Sequence, residues 1–198
     1  MDAATTFPFI AGGPALCFVD TLGDRGGAGL ERLDHPRALA AWLAAARLDG
    51  GLAAEPTDAG LEAARRLREV IHRCALHAMR AQPLPAGDVA LLNAAAAHPP
   101  LRPRLEGETV RWHAGRPFEA ALSTLAADAI ALFGSQRRAR IRRCPGCAML
   151  FEDTSRPGKR RWCSSARGCG NREKTRNLRV RKRRAQRSAT PHGDDDAH

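Results

Sequence analysis

Residues 142–172 read RRCPGCAMLFEDTSRPGKRRWCSSARGCGNR, and the four cysteines in that stretch decide what the C-terminal part of the chain must be. Cys144 and Cys147 flank Pro145-Gly146, fifteen residues lead on to Cys163, and five more separate it from Cys169. Zinc takes four soft ligands in a tetrahedron, with sulfur at about 2.3 Å. Two cysteines around a two-residue turn supply adjacent corners of such a site. Gly146 is expected to relieve steric restriction in that turn, where backbone N–H groups can donate to the thiolates. In a reducing compartment this paired cluster reads as metal ligation before disulfides.

The intervening residues predict a hairpin that carries the chain back to the knuckle. Ala148–Phe151 would run outward, Pro157-Gly158 would turn, and Arg160–Cys163 would return. Cys169 would then open a terminal helix, and this order of knuckle, hairpin and helix resembles the treble-clef zinc sites. The apolar residues available are Met149, Leu150, Phe151, Trp162, Leu178 and Val180. So small a core cannot fold the segment, so one structural Zn²⁺ is expected to supply much of the folding free energy. A closed four-sulfur site leaves no place for an activated water, which argues against zinc catalysis. The helical part and the finger are expected to have separate cores, so that loss of Cys163 would unfold the finger alone.

Charge separates the same two parts. The chain has 198 residues and a formal net charge of +11. Residues 1–136 contribute −2, residues 137–187 contribute +16, and the acidic tail 188–198 contributes −3. Charge so concentrated and of one sign points to a polyanion, nucleic acid before membrane. After Cys169, the run from Gly170 to Arg184 places Arg172, Arg176, Arg179 and Arg183 on one helical face, with Leu178 expected to anchor the helix to the finger. The candidate nucleic-acid contacts are Arg160, Arg161, Arg172, Lys174, Arg176, Arg179, Arg181, Lys182, Arg183 and Arg184. Such density of Arg and Lys suits phosphate contact and carries no base readout by itself.

The first 136 residues read as mostly helical, and 43% hydrophobic content is enough for a packed core. Asp34-His35-Pro36 starts one helix, with Leu39, Leu43 and Ala46 recurring until Gly50-Gly51. Thr57 caps a longer one whose Leu61, Ala64, Leu67, Ile71, Cys74 and Ala78 form a single stripe. A third runs from Ala86 to Ala97. A fourth begins near Pro117 and buries Phe118, Leu122, Leu125, Ala129 and Leu132, with Gly134 as its C-terminal cap. Between these last two, residues 101–113 suggest a hairpin around Gly107. Cys17 and Cys74 read as small buried hydrophobes. Gly23–Gly29 lacks the Gly-Lys-Ser/Thr ending of a phosphate loop and reads as a mobile loop. No histidine, serine or carboxylate arrangement supports catalysis. No apolar run reaches the roughly 20 residues of a membrane span, and the start lacks a secretory pattern, so a cytoplasmic location is expected.

Arg142-Arg143-Cys144-Pro145-Gly146-Cys147, Phe151-Glu152-Asp153-Thr154-Ser155, Arg160-Arg161-Trp162-Cys163 and Cys169-Gly170-Asn171-Arg172 together resemble the CGNR zinc-finger family. Leu16-Cys17-Phe18-Val19-Asp20-Thr21-Leu22, followed by Leu39-Ala40-Ala41-Trp42-Leu43, resembles the ABATE domain that precedes that finger. The resemblance implies a bacterial stress-induced transcription regulator; the function expected is that of a DNA-binding regulator, nucleoid-associated, whose helical domain senses a ligand or forms a homodimer. One departure is the five residues Ser164–Gly168, where the family places four between its last two cysteines. The fold expected is mainly α: a helical domain over 1–136 with a short β-hairpin, then a treble-clef-like finger over 137–187 ending in a basic helix, then a disordered acidic tail over 188–198. The expected partner is duplex DNA, because no aromatic platform for unpaired bases stands near the basic helix. The alternative is a structural zinc module that docks RNA or protein.

Overall fold

The computed structural model describes residues 7–165 and 168–188, and within these the protein is built of six α-helices and three two-stranded antiparallel hairpins. The organising element is α3, Asp58–Met79, whose N-cap Thr57 accepts from the Gly60 N–H at 3.1 Å. All six residues of its stripe are buried. Steps of three and four residues put them on one face, and burial of that face is what stabilises the helix. Against it pack α4, Ala86–Ala96, and α5, Pro117–Phe133. Helix α2, Pro36–Ala45, is capped by His35, whose Nδ1 accepts from the Ala38 N–H at 3.2 Å. Gly134 follows α5 with φ −79°, an ordinary right-handed conformation, so the cap does not exploit glycine's freedom.

Helix α1, Pro14–Val19, is unannounced in the sequence because it is one and a half turns of nearly continuous apolar residues with no period to read. It buries Ala15, Leu16, Cys17, Phe18 and Val19 and sits in the centre of the core. The Phe18 ring lies 5.0 Å from that of Trp42 on α2, and Asp128 of α5 accepts from the Ala15 N–H at 2.9 Å. Cys17 and Cys74 are buried thiols, and burial pushes both above the usual thiol range.

The expected hairpin forms from β3, Arg102–Glu106, and β4, Thr109–His113, with Leu105 opposite Val110 and Pro103 opposite Trp112. The glycine-rich segment links β1, Leu22–Gly23, to β2, Leu30–Glu31. This hairpin is fastened to α3 by ions. Arg68, buried to 3% exposure, holds both carboxylate oxygens of Glu31 at 2.6 Å and also reaches Glu69 at 2.9 Å. Arg25 grips Glu69 from the loop at 2.7 and 2.9 Å.

The finger does not have its own core. A short 3₁₀ turn, Gln136–Arg140, leads into β5, Ile141–Arg143, which pairs with β6, Leu150–Glu152, across the cysteine knuckle. This replaces the hairpin expected from the spacing. The return segment 160–163 makes no strand, and the antiparallel partner of β6 comes from before Cys144. Ile141, Met149, Leu150 and Phe151 belong to the same buried cluster as α1 and α3, which overturns the expectation of separate cores. Two bonds fix the junction. The Glu152 N–H donates to Ala11 at 2.7 Å, and the Glu152 carboxylate takes Arg137 at 2.8 and 2.7 Å. Gly12 makes this possible: its φ is +107°, and a Cβ there would lie 2.8 Å from that of Glu152.

A shared core predicts one cooperative thermal transition, followed equally by helical and finger probes. Gly12→Ala forces a left-handed backbone on alanine and a clash on Glu152, so it should cost about 1–3 kcal/mol and lower that single transition. Separate transitions for the two parts in calorimetry would contradict the shared core.

Candidate metal centre and basic helix

The knuckle is shaped by backbone bonds before any metal is considered. The Ala148 N–H donates to the Cys144 carbonyl at 2.9 Å, and the Cys144 N–H donates to Met149 at 2.9 Å. Ala148 takes the left-handed conformation at φ +59° that this turn requires. Gly146 does not use glycine's torsional freedom; the reason for it is space. A Cβ there would meet the Cys169 Cβ at 3.1 Å and the Trp162 ring at 3.4 Å. At Gly170, the second residue of the terminal helix, a Cβ would lie 3.2 Å from the same indole. Trp162 thus wedges between the knuckle and the helix, with a glycine on each side.

These supports bring the four sulfurs of Cys144, Cys147, Cys163 and Cys169 within 4.8 Å of one another. The Cys147–Cys163 and Cys163–Cys169 sulfur separations are 3.7 and 3.8 Å. Disulfides need about 2.05 Å. A regular tetrahedron of sulfurs at about 2.3 Å from zinc has edges of about 3.8 Å. The donor set therefore fits one structural zinc, and it is closed, with no position left for a reacting water. The finger's extra residue between Cys163 and Cys169 does not keep either sulfur from the cluster; residues 166 and 167 themselves lie outside the described residues.

The thiols also need a cation. Burial works against ionisation of Cys144, yet N–H groups of Cys163, Gly146 and Cys147 bring its thiol below the usual range. Burial and the neighbouring Cys144 push Cys147 up, and burial with the charges of Cys147 and Cys144 pushes Cys163 up further. Metal-free, the cluster readily holds one thiolate; a divalent ion makes the full set possible. Arg172 donates to the Cys169 sulfur at 3.1 Å, offsetting part of the negative charge that remains.

Asp153, which neither the charge nor the cysteine pattern singles out, and Arg160 hold the long excursion between the cysteine pairs. Asp153, fully buried, accepts from the Ser155 hydroxyl at 2.6 Å, the Ser155 N–H at 3.0 Å and the Arg160 N–H at 2.7 Å. Asp with Ser two positions on is a turn signal that could have marked it. Arg160 has its guanidinium 4.6 Å over the Phe151 ring and donates to the Trp162 and Cys163 carbonyls at 3.1 and 2.8 Å. Its guanidinium is engaged inside the finger and braces it.

Helix α6, Cys169–Ser188, begins at the last cysteine. Arg161 is exposed, 5.7 Å over the Trp162 ring. Lys174, Arg176, Arg179, Arg181 and Lys182 are exposed along α6, with Arg176 paired to Glu173 at 2.8 Å. Arg183 and Arg184 continue the helix, and their side chains lie outside the described residues. Leu178 is 55% exposed and Val180 49%, so neither anchors the helix. Attachment falls to Cys169 and the Gly170–Trp162 contact.

Known families account for both parts. The ABATE model, described as "Putative stress-induced transcription regulator", matches residues 12–136, and the CGNR zinc finger model matches residues 140–182. No curated protein matches the chain. Neither matched family is an enzyme family, and no helix among the described residues is long and apolar enough to cross a membrane.

Zinc competes with protons for these sulfurs, so its affinity is greatest on the alkaline side and is lost as pH falls. Four thiolates are needed and the metal-free cluster holds about one, so binding near neutrality should release about three protons. Chelator competition across pH 6–8 should therefore show affinity falling about 1,000-fold per unit of acidification. Cys163→Ser should abolish tight binding and, through the shared core, lower the melting temperature of the helical part as well. A pH-independent affinity would contradict sulfur ligation.

Proposed function

We propose that this chain, which belongs to the ABATE family, is a transcription regulator whose zinc-held finger presents a basic helix to duplex DNA. In this reading residues 1–136 form a domain that senses a ligand or pairs two copies, and residues 137–187 form the finger. Cys144, Cys147, Cys163 and Cys169 are its zinc ligands. The acidic tail 188–198 falls, beyond Ser188, outside the described residues. A regulator of this kind works in the cytoplasm, on the nucleoid.

The observation that carries the reading is the exposure of α6. Every residue from Lys174 to Lys182 is exposed, and a helix of 20 residues is about 30 Å long. Like charges spaced three and four apart along a helix repel, by a few tenths of a kcal/mol per pair. A surface of this sign gains from phosphate what it lacks within the protein, because each neutralised phosphate releases counterions. A major groove about 12 Å wide admits such a helix. Lys174, Arg176, Arg179, Arg181, Lys182, Arg183 and Arg184 are the contacts proposed, with Arg161 beside the helix start. Arg172 and Arg160 serve the finger itself. Exposed Leu178 and Val180 favour a second reading, in which α6 docks a protein partner.

Salt dependence of DNA binding separates the readings. Changing Lys174, Arg179, Arg181 and Lys182 together to Ala should lessen the slope of log K against log salt by roughly three to four units, at about 0.9 per phosphate. Zinc content should stay the same, since none of these side chains is among the four metal ligands. An unchanged slope would place binding off α6. Absence of DNA binding at low salt, with a protein captured through Leu178 and Val180, would establish the second reading.

A further inference from the structure

Helix α4 is apolar on almost every side, yet among its residues only Leu92 and Asp88 are buried. Leu91 remains 55% exposed and stands at the edge of a groove of about 340 Å³ enclosed by α3, α4 and α5. An apolar helix in water is ordinarily covered. The floor of the groove is Leu67, Val70 and Leu122, and the gap persists because Ala63, Ala94 and Ala95 line it where larger side chains would close it. Its volume lies at the small end of the roughly 300–1,000 Å³ of ligand sites, which are concave, mainly apolar and furnished with a few polar groups.

The polar groups here are Arg66, His98 and Glu119. Glu119 is already neutralised by Arg116 at 2.6 Å. Arg66 makes no hydrogen bond or ion pair among the described residues. The groove therefore carries one uncompensated cation above apolar walls. We infer that it binds a small apolar monocarboxylate, a short-chain or aromatic acid, with the carboxylate on Arg66 and the apolar body between Leu67, Leu91 and Leu122. One cation and apolar walls do not suit a nucleotide or a di- or triphosphate. As the effector site this rests on the sensory reading of the helical domain; as a binding site it stands on the groove alone.

Calorimetric titration of the zinc-loaded full chain with octanoate and with octanol tests it. Octanoate should bind one per chain, and octanol, with the same tail and no charge, at least about tenfold more weakly, the effect of one charge-assisted pair. Arg66→Ala should bring octanoate to the level of octanol. Ala94→Leu, at an exposed position, should fill the groove and abolish binding of both with helicity and zinc content retained. No binding of octanoate, or binding indifferent to Ala94→Leu, overturns the site. So does sedimentation of the chain as a dimer that Leu91→Asp dissociates, which would make the groove the seat of a second copy. Octanoate binding that leaves DNA affinity unchanged supports the site and refutes its sensory use.

Discussion

Four cysteine sulfurs within 4.8 Å of one another cannot all be thiolates unless a cation sits among them. The finger's strands are three residues each, and its return segment has no ladder at all. What closes the 25-residue path from Cys144 to Cys169 is the set of bonds to one ion, with backbone donors, Trp162 and Arg172 arranged around it. The terminal helix inherits its position from that closure, because its first residue is itself one of the four. A basic helix exposed from Lys174 to Lys182 has little else to fix its direction.

The finger also depends on the domain in front of it. Phe151 and Leu150 point their burial into a cluster that includes α1 and α3, and Glu152 ties Ala11 to Arg137 at the seam. A second seam runs through the glycine-rich loop, where Gly26 lies close against Arg143 and Ala148 of the knuckle. That loop is held to α3 by Arg25, Glu69, Arg68 and Glu31. Such buried ion pairs are weak evidence for net stability, yet removing one partner strands the other and typically costs 3–5 kcal/mol, about the scale that fixes a hairpin in place. Helix α3 therefore meets the finger on one side and the apolar groove on another.

Much of this was legible in the residues, and the exceptions share a cause. The stripe of α3, the hairpin at 102–113 and the metal cluster all follow from spacing within one short segment, where periodicity or ligand geometry leaves few alternatives. Helix α1 was not legible, because six apolar residues in a row carry no period. The partner of β6 was misjudged because spacing between cysteines says how far the chain must travel and not which strand it meets. Gly146 was read as a turn residue; only the approach of Trp162 and Cys169 reveals why a side chain is excluded there. Leu178 was assigned an anchor that the exposed helix does not make, and Arg160 was counted by charge when its donors are directed inward. Each of these turns on contacts between distant residues, which composition and local pattern do not encode.

The finger stands on the ion. X-ray absorption at the zinc edge, with metal analysis of the purified chain, reads it directly. About one zinc per chain with four sulfurs near 2.3 Å is the expected result. A nitrogen or oxygen ligand in the first shell, or metal-free protein with residues 141–188 still folded, would contradict it.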